Sequence, residues 1–399
     1  MSERDAILGF LVAFVAAALL TPLTARFAVR VGAVDHPRAR GLADRETPLL
    51  GGLAIMTASL LAGLAFLHLG GDLGHRMAGV LEGALAITIV GALDDRFDLH
   101  PVRKFAGQIL AAVIPVAAGV KVGHLTLPFV GALDLGGAGA PVTVLGLVLV
   151  MNVVNFSDGI DGLAAGVCAI AAVAFTIIAF DLHKGHAATL SAITAGAALG
   201  FLIHNFHPAS IFMGDCGSNL LGLLLGCVAI EGAVKTQAVL ALVFPLVVLA
   251  VPFLDTTFVV LKRLKYGNPV YVADQNHFHH RFSRIGFSQR RTVLYLYAWT
   301  LCVAAFAVAL RFVPYSDNGG NLHAGWTIVM GALALVVVVA SAYLVWVLEI
   351  LKFRGLRERG LRGQDPTISD EEIDRDVAQR IETGQFDAIR IEDVQRPQG

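Results

Sequence analysis

The stretch Val142-Thr143-Val144-Leu145-Gly146-Leu147-Val148-Leu149-Val150-Met151-Asn152-Val153-Val154-Asn155-Phe156-Ser157-Asp158-Gly159-Ile160-Asp161-Gly162 decides the fold. Its first half, Val142 to Met151, is an apolar run that a membrane helix can use. Its second half packs two amides, two carboxylates and two glycines into eleven positions. Carboxylates beside lipid persist only where they face water, a cation or a partner, so such a cluster at the mouth of an apolar helix reads as functional. The glycines let the backbone turn tightly and approach a ligand, and the short acid and amide side chains offer oxygens to a hard cation such as Mg²⁺. The stretch therefore reads as a wet, polyanion-facing loop on a membrane span.

The composition of the whole chain agrees. Of 399 residues, 56% are hydrophobic and 15% charged, against roughly 45–50% and 25% in soluble domains, and the mean hydropathy is +0.70. A polytopic membrane protein follows. The formal net charge of −1 gives no bulk basicity, so no nucleic-acid partner is indicated. Cys168, Cys216, Cys227 and Cys302 show no C-x-x-C spacing, which predicts neither a disulfide nor a zinc site. The apolar run from Ile7 to Leu20 reads as a first span and not as a removed signal peptide, because no small-residue cleavage site follows it.

Runs long enough for a bilayer fall at about 6–29, 51–69, 77–93, 104–120, 141–155, 163–181, 187–204, 216–232, 236–261, 292–312 and 324–351, each on the order of 17–25 residues and the fifth short. About eleven spans result: an all-α helical bundle whose termini lie on opposite sides. Lysine and arginine set the orientation. With the N-terminus outside, the inner loops carry Arg30, Arg38, Arg40 and Arg45, then Arg96, Arg103 and Lys104, then Lys262 to Arg291, and the tail from Lys352 to Arg362. Arg4, Arg76, Lys121, Lys184, Lys235 and Arg311 remain outside. Residues 1–354 form the transmembrane unit. The charged stretch 355–399 is a cytoplasmic tail, partly helical or disordered, in which Ser369 and Glu372 have the spacing of a capping box.

The same orientation gathers the polar motifs on the cytoplasmic side, as in an active site. Asp94 and Asp95, in the connection Asp94 to Lys104, can hold a metal-phosphate or remove a proton, with Lys104 countering phosphate charge; an ordinary solvated charge run is the plain alternative. Asp215, between Gly214 and Cys216, either caps the next helix, as Ser218 also can, or holds Mg²⁺ where helix N–H groups attract phosphate. His277, His279, His280 and Arg281 lack the acid of a zinc motif and read as contacts to a polyanion. Leu50-Gly51-Gly52-Leu53 is a packing point without assigned chemistry.

Four motifs in order, Asp94-Asp95-Arg96-Phe97-Asp98 with Lys104, Asn152 to Leu163, Phe212-Met213-Gly214-Asp215-Cys216-Gly217-Ser218 and His277-Phe278-His279-His280-Arg281, resemble the polyprenyl-phosphate N-acetylhexosamine-1-phosphate transferases of the glycosyltransferase 4 family. The resemblance implies a reaction in which undecaprenyl phosphate attacks the β-phosphorus of a UDP-amino sugar, giving a polyprenyl-diphospho-sugar and UMP. It implies Mg²⁺, or Mn²⁺ in its place, held by Asn155 and Asp215. Asp94 and Asp95 become the essential pair, one of them the base for the lipid phosphate, and Lys104 a phosphate contact. Asp158 and Asp161 fall near nucleotide and sugar; His277, His279, His280 and Arg281 fall in the loop that grips the diphosphate and amino sugar. The histidine pattern is most similar to the branch using UDP-GlcNAc; UDP-MurNAc-pentapeptide is the alternative donor. Cys216 and Phe278 depart from the usual pattern without removing a ligand. Direct and two-step displacement both stay open, as does a homodimer.

A secondary transporter would place its polar residues near the midplane, often in repeated halves, and no repeat is evident. A scaffold without catalysis leaves the carboxylates unexplained, and a CDP-alcohol transferase would continue Asp-Gly with a D-G-x-x-A-R pattern that is absent.

Overall fold

A computed structural model describes residues 2–35, 46–127, 131–232, 289–314 and 323–341, with scattered positions between 361 and 376. Ten helices make up the described bundle: α1 (Glu3–Val31), α2 (Gly51–Phe66), α3 (Gly71–Phe97), α4 (Pro101–Ala117), α5 (Gly139–Ser157), α6 (Leu163–Asp181), α7 (Gly185–Asn205), α8 (Gly214–Gly232), α9 (Gln289–Phe312) and α10 (Ala324–Ser341). Two small antiparallel hairpins interrupt them. β1 (Val34–Asp35) pairs with β2 (Thr47–Pro48) between α1 and α2, and β3 (His124–Leu127) with β4 (Gly131–Asp134) between α4 and α5.

Eight of the described helices are long and apolar enough to cross a membrane, α5 being extended by a preceding 3₁₀ turn to 22 residues; α2 has 16 residues and α4 has 17. Outward-facing Leu8, Leu19, Leu145, Leu149, Val336 and Val338 are exposed, as a lipid-facing surface requires. The protein is thus an all-α, multi-pass membrane protein. The predicted span at 236–261 and the histidine loop lie outside the described residues.

The bundle is built around α8. Every residue from Cys216 to Val228 is buried, and α8 meets α2, α3, α4, α5, α6 and α7. Glycines on the helices packed against it explain how so many neighbours fit, since small residues let membrane helices approach closely. A methyl group on Gly52 would overlap the Cys216–Gly217 backbone, and one on Gly91 would overlap the Asp215–Cys216 backbone. The chain before α8 is stitched to the start of α2 by main-chain bonds: Gly51 N–H donates to Phe212 O at 3.0 Å, Gly52 N–H to Met213 O at 2.9 Å, and Phe212 N–H to Pro48 O at 2.8 Å. The predicted packing point at Leu50–Leu53 is therefore a junction of α2 and α8.

Two boundaries differ from the expectation in ways that shape the site. Asp94 and Asp95 lie in the last turn of α3 and not in a loop, because the helix continues to Phe97. A three-residue turn, Asp98 to His100, then leads into α4, with Pro101 in its first turn and Lys104 one turn in. The fifth span, expected to be short, runs through Asn155 to Ser157. In both cases polar side chains on a helix end find partners on neighbouring helices, so nothing ends the helix where the apolar run ends. At the far end, Arg76 of α3 pairs with Glu231 of α8 at 3.3 Å. In the tail the capping box forms, with Glu372 N–H 3.4 Å from Ser369 Oγ and Ser369 N–H 3.2 Å from Glu372 Oε2.

Candidate active site

Helices α3, α4, α5 and α8 alternate in direction, so the C-terminal ends of α3 and α5 meet the N-terminal ends of α4 and α8 at one end of the bundle. Lys104 is the hub there. Its Nζ lies 3.0 Å from Asp94 Oδ2 and also bonds Asp215 Oδ2. Asp94 is oriented from below by its own turn, accepting from Leu99 N–H at 2.8 Å. Asn155 Nδ2 donates to Asp215 Oδ1 at 2.6 Å and to Ser218 Oγ at 2.8 Å. Asp95 Oδ1 accepts from Asp215 N–H at 2.7 Å and its Oδ2 from Cys216 N–H at 3.1 Å. Residues 94, 95, 104, 155 and 215, far apart in the chain, form one cluster.

Asp158 follows directly as the C-cap of α5. Burial first, and then the nearby charges of Asp215, Asp95 and Asp161, push its carboxyl up from 3.8 to about 8. The cluster is rich in carboxylates, and Lys104 is the cation bonded to it among the described residues. An ammonium bridging two carboxylates marks a position where positive charge is held, with hard oxygen donors from Asp215 and Asp94 around it; Asn155 turns its Nδ2 toward Asp215 and would offer its carbonyl oxygen to a cation by rotating the amide. These donors fit Mg²⁺, which takes one or two carboxylates and completes its shell with water and phosphate oxygens. No trio of His, Cys, Asp or Glu forms a closed metal cage among the described residues.

Asp161 has a different setting. Its Oδ2 lies 2.8 Å from His207 Nδ1 and accepts from Ala209 N–H at 2.9 Å, while Asn205 takes Gly162 N–H at 3.0 Å and donates to Ile211 O at 3.0 Å. Tyr297 of α9 bonds the Gly162 carbonyl. The Asp158–Gly162 loop is thus clasped to segment 205–211. His277, His279, His280 and Arg281 fall outside the described residues.

The match to the family model for glycosyl transferase family 4 covers residues 77–233, which contain the whole cluster. The chain is 35% identical over 309 residues to a protein of Bacillus subtilis named probable undecaprenyl-phosphate N-acetylglucosaminyl 1-phosphate transferase, covering 76% of this chain and 85% of the relative. The chain belongs to glycosyl transferase family 4. A second relative, a decaprenyl-phosphate N-acetylglucosaminephosphotransferase of Mycobacterium leprae, is 36% identical over 360 residues, 84% of this chain and 90% of its own. A phospho-N-acetylmuramoyl-pentapeptide-transferase of Halalkalibacterium halodurans is 29% identical over 330 residues, 78% and 99%.

In this family 4 member Asn152, one of the two amides of the opening stretch, joins the buried Gln108 and Asn219, to which the sequence assigned no role, in an amide chain beneath the cluster. Gln108 Nε2 donates to Asn219 Oδ1 at 2.8 Å, Asn152 Nδ2 to Gln108 Oε1 at 2.8 Å, and Asn219 Nδ2 to the Asp215 carbonyl at 2.8 Å. Helical spacing carried the signal: Gln108 is four residues from Lys104, Asn152 three from Asn155, and Ser218 and Asn219 three and four from Asp215, so each shares a face with a predicted residue.

Proposed function

We propose that the protein transfers N-acetylglucosamine 1-phosphate from UDP-GlcNAc to undecaprenyl phosphate, releasing UMP, as the first membrane step of a cell-envelope polysaccharide pathway. The observation that carries this reading is the convergence of Asp94, Lys104, Asn155 and Asp215 from four helices at one end of the bundle. Two relatives at 35–36% identity are named for the same sugar phosphate and a polyprenyl phosphate. The pentapeptide transferases stand at lower identity, 29% for one of them.

A phosphate oxygen of the acceptor bonds the β-phosphorus of the donor, and the bond from that phosphorus to the bridging oxygen breaks. UMP departs with the bridging oxygen and the lipid gains the sugar on a diphosphate. Two polyanions must meet in line, so catalysis rests on placing them and offsetting their charge. Mg²⁺, or Mn²⁺ in its place, would be held by Asn155 and Asp215 and supplies positive charge to the phosphates. Lys104 exchanges its carboxylate partners for a phosphate oxygen. Asp94, adjoining Lys104, takes the proton of the acceptor phosphate. Asp158 and Asp161 would lie toward the nucleotide and sugar of the donor, and His277, His279, His280 and Arg281 would grip its diphosphate and sugar. The clustering of lysine and arginine at the same end argues for a cytoplasm-facing site in a bacterial inner membrane.

Purified protein in detergent, given undecaprenyl phosphate, Mg²⁺ and each donor separately, tests this by UMP release. UMP from UDP-GlcNAc and not from UDP-MurNAc-pentapeptide is expected, abolished by EDTA. Release from the pentapeptide donor alone would overturn the sugar assignment.

A further inference from the structure

The two adjacent aspartates at the end of α3 are held very differently. Asp94 faces Lys104, whereas both oxygens of Asp95 are occupied by the first N–H groups of α8, those of Asp215 and Cys216. Such groups have no acceptor within their own helix. The residues that ordinarily supply one from the preceding chain are Met213 and Gly214 here, and neither side chain has an acceptor oxygen. Cys216 is fully buried, so water cannot serve its N–H in their place. The surrounding chain is shaped for the contact: Gly214 adopts φ +71°, a side chain there would overlap the Asp95 carboxylate, and Gly91, one turn before Asp95, leaves room for the α8 backbone. A carboxylate at a helix N-terminus also meets the positive end of the helix dipole.

We propose that Asp95 is a positioning residue: it supplies from α3 the N-terminal cap that α8 lacks, and so fixes Asp215 against Asn155 and Lys104. The Asp94-Asp95 pair then divides its work, Asp94 facing the reacting phosphates and Asp95 holding the helix that carries Asp215. Two of the phosphate-attracting N–H groups expected at the start of α8, those of Asp215 and Cys216, are accordingly taken up by Asp95. This assignment rests on the reading of Asp215 as a site residue in the proposed transferase.

The test compares full-length wild type with Asp95→Asn, which keeps one acceptor oxygen, Asp95→Ala, which keeps none, and Asp94→Asn. Hydrogen–deuterium exchange over residues 214–219 should quicken about tenfold in Asp95→Ala, the size of a lost helix cap, less in Asp95→Asn, and not in Asp94→Asn. This readout is independent of which substrate is turned over, so failure of the transferase assignment leaves it decisive. In turnover, Asp95→Asn should outperform Asp95→Ala, need more Mg²⁺ for half-maximal rate, and recover toward wild type when Mg²⁺ is raised, with its pH profile unchanged. Wild-type exchange in Asp95→Asn together with inactivity that Mg²⁺ does not relieve would overturn the proposal and assign Asp95 to the chemistry itself. Should Asp95→Ala fail to fold, Asp95→Asn carries both readouts.

Discussion

Lys104 sets the charge balance of the site, since its ammonium bonds both Asp94 and Asp215. Lys104→Met leaves two carboxylates facing each other without a counter-ion. Turnover should fall by about 10²-fold or more, the scale of losing one preorganised charge contact. The thermal midpoint in EDTA should also fall, and Mg²⁺ should restore more of it than it adds to wild type; a midpoint indifferent to Mg²⁺ would count against the cation site. Asp94→Asn and Asp215→Asn should each abolish turnover while leaving the thermal transition cooperative, and full activity in both would sink the assignment. For Asp158 the raised carboxyl sets a sign. The folded protein binds a proton there that the unfolded chain releases near pH 4, so cation-free stability should decline from about pH 4 to about pH 8. Asp158→Asn should flatten that decline, as thermal midpoints across pH in EDTA would reveal. Asp94, Lys104, Asn155 and Asp215 were legible in the sequence because their motifs, in order, resemble those of one family; the residues alone left Asp94 to Lys104 readable as a solvated charge run and Asp215 as a helix cap. The bond from Asp95 to α8 was not, because it joins positions 120 residues apart.

At the scale of the element, α8 carries the site because small residues at its contacts admit the neighbours that supply the other side chains. Gly52→Ala pushes a methyl group into the Cys216–Gly217 backbone and should destabilise the protein by about 1–3 kcal/mol, the ordinary penalty of overpacking, with loss of turnover through displacement of Asp215. Gly146→Ala on α5, where a methyl group meets nothing within 4 Å, is the control and should leave midpoint and rate unchanged. Equal effects of the two would remove the close-packing argument. Helix α6 coincides with its apolar run, 163–181, because ordinary turns flank it. The ends of α3 and α5 were misplaced because hydropathy falls at polar residues whether they leave the helix or bond across it, and only the neighbouring helix decides which. The buried amides Gln108 and Asn219 were hidden for the same reason.

For the molecule as a whole, hydropathy made the multi-pass all-α architecture plain, and the distribution of arginine and lysine gave a topology that cysteine labelling can check. In right-side-out cells, Lys184→Cys should react with a membrane-impermeant maleimide and Arg103→Cys should react only after permeabilisation, judged against wild type; the reverse would invert the bundle. In the proposed orientation a lipid acceptor and a water-soluble donor would meet where the four helices converge. The central claim is that the sugar leaves its nucleotide together with a phosphate. Identifying the nucleotide released from UDP-GlcNAc in the presence of undecaprenyl phosphate tests this most directly. UMP, with the β-phosphate recovered in the lipid fraction, is the predicted result; UDP, with the sugar alone on the lipid, would contradict the account.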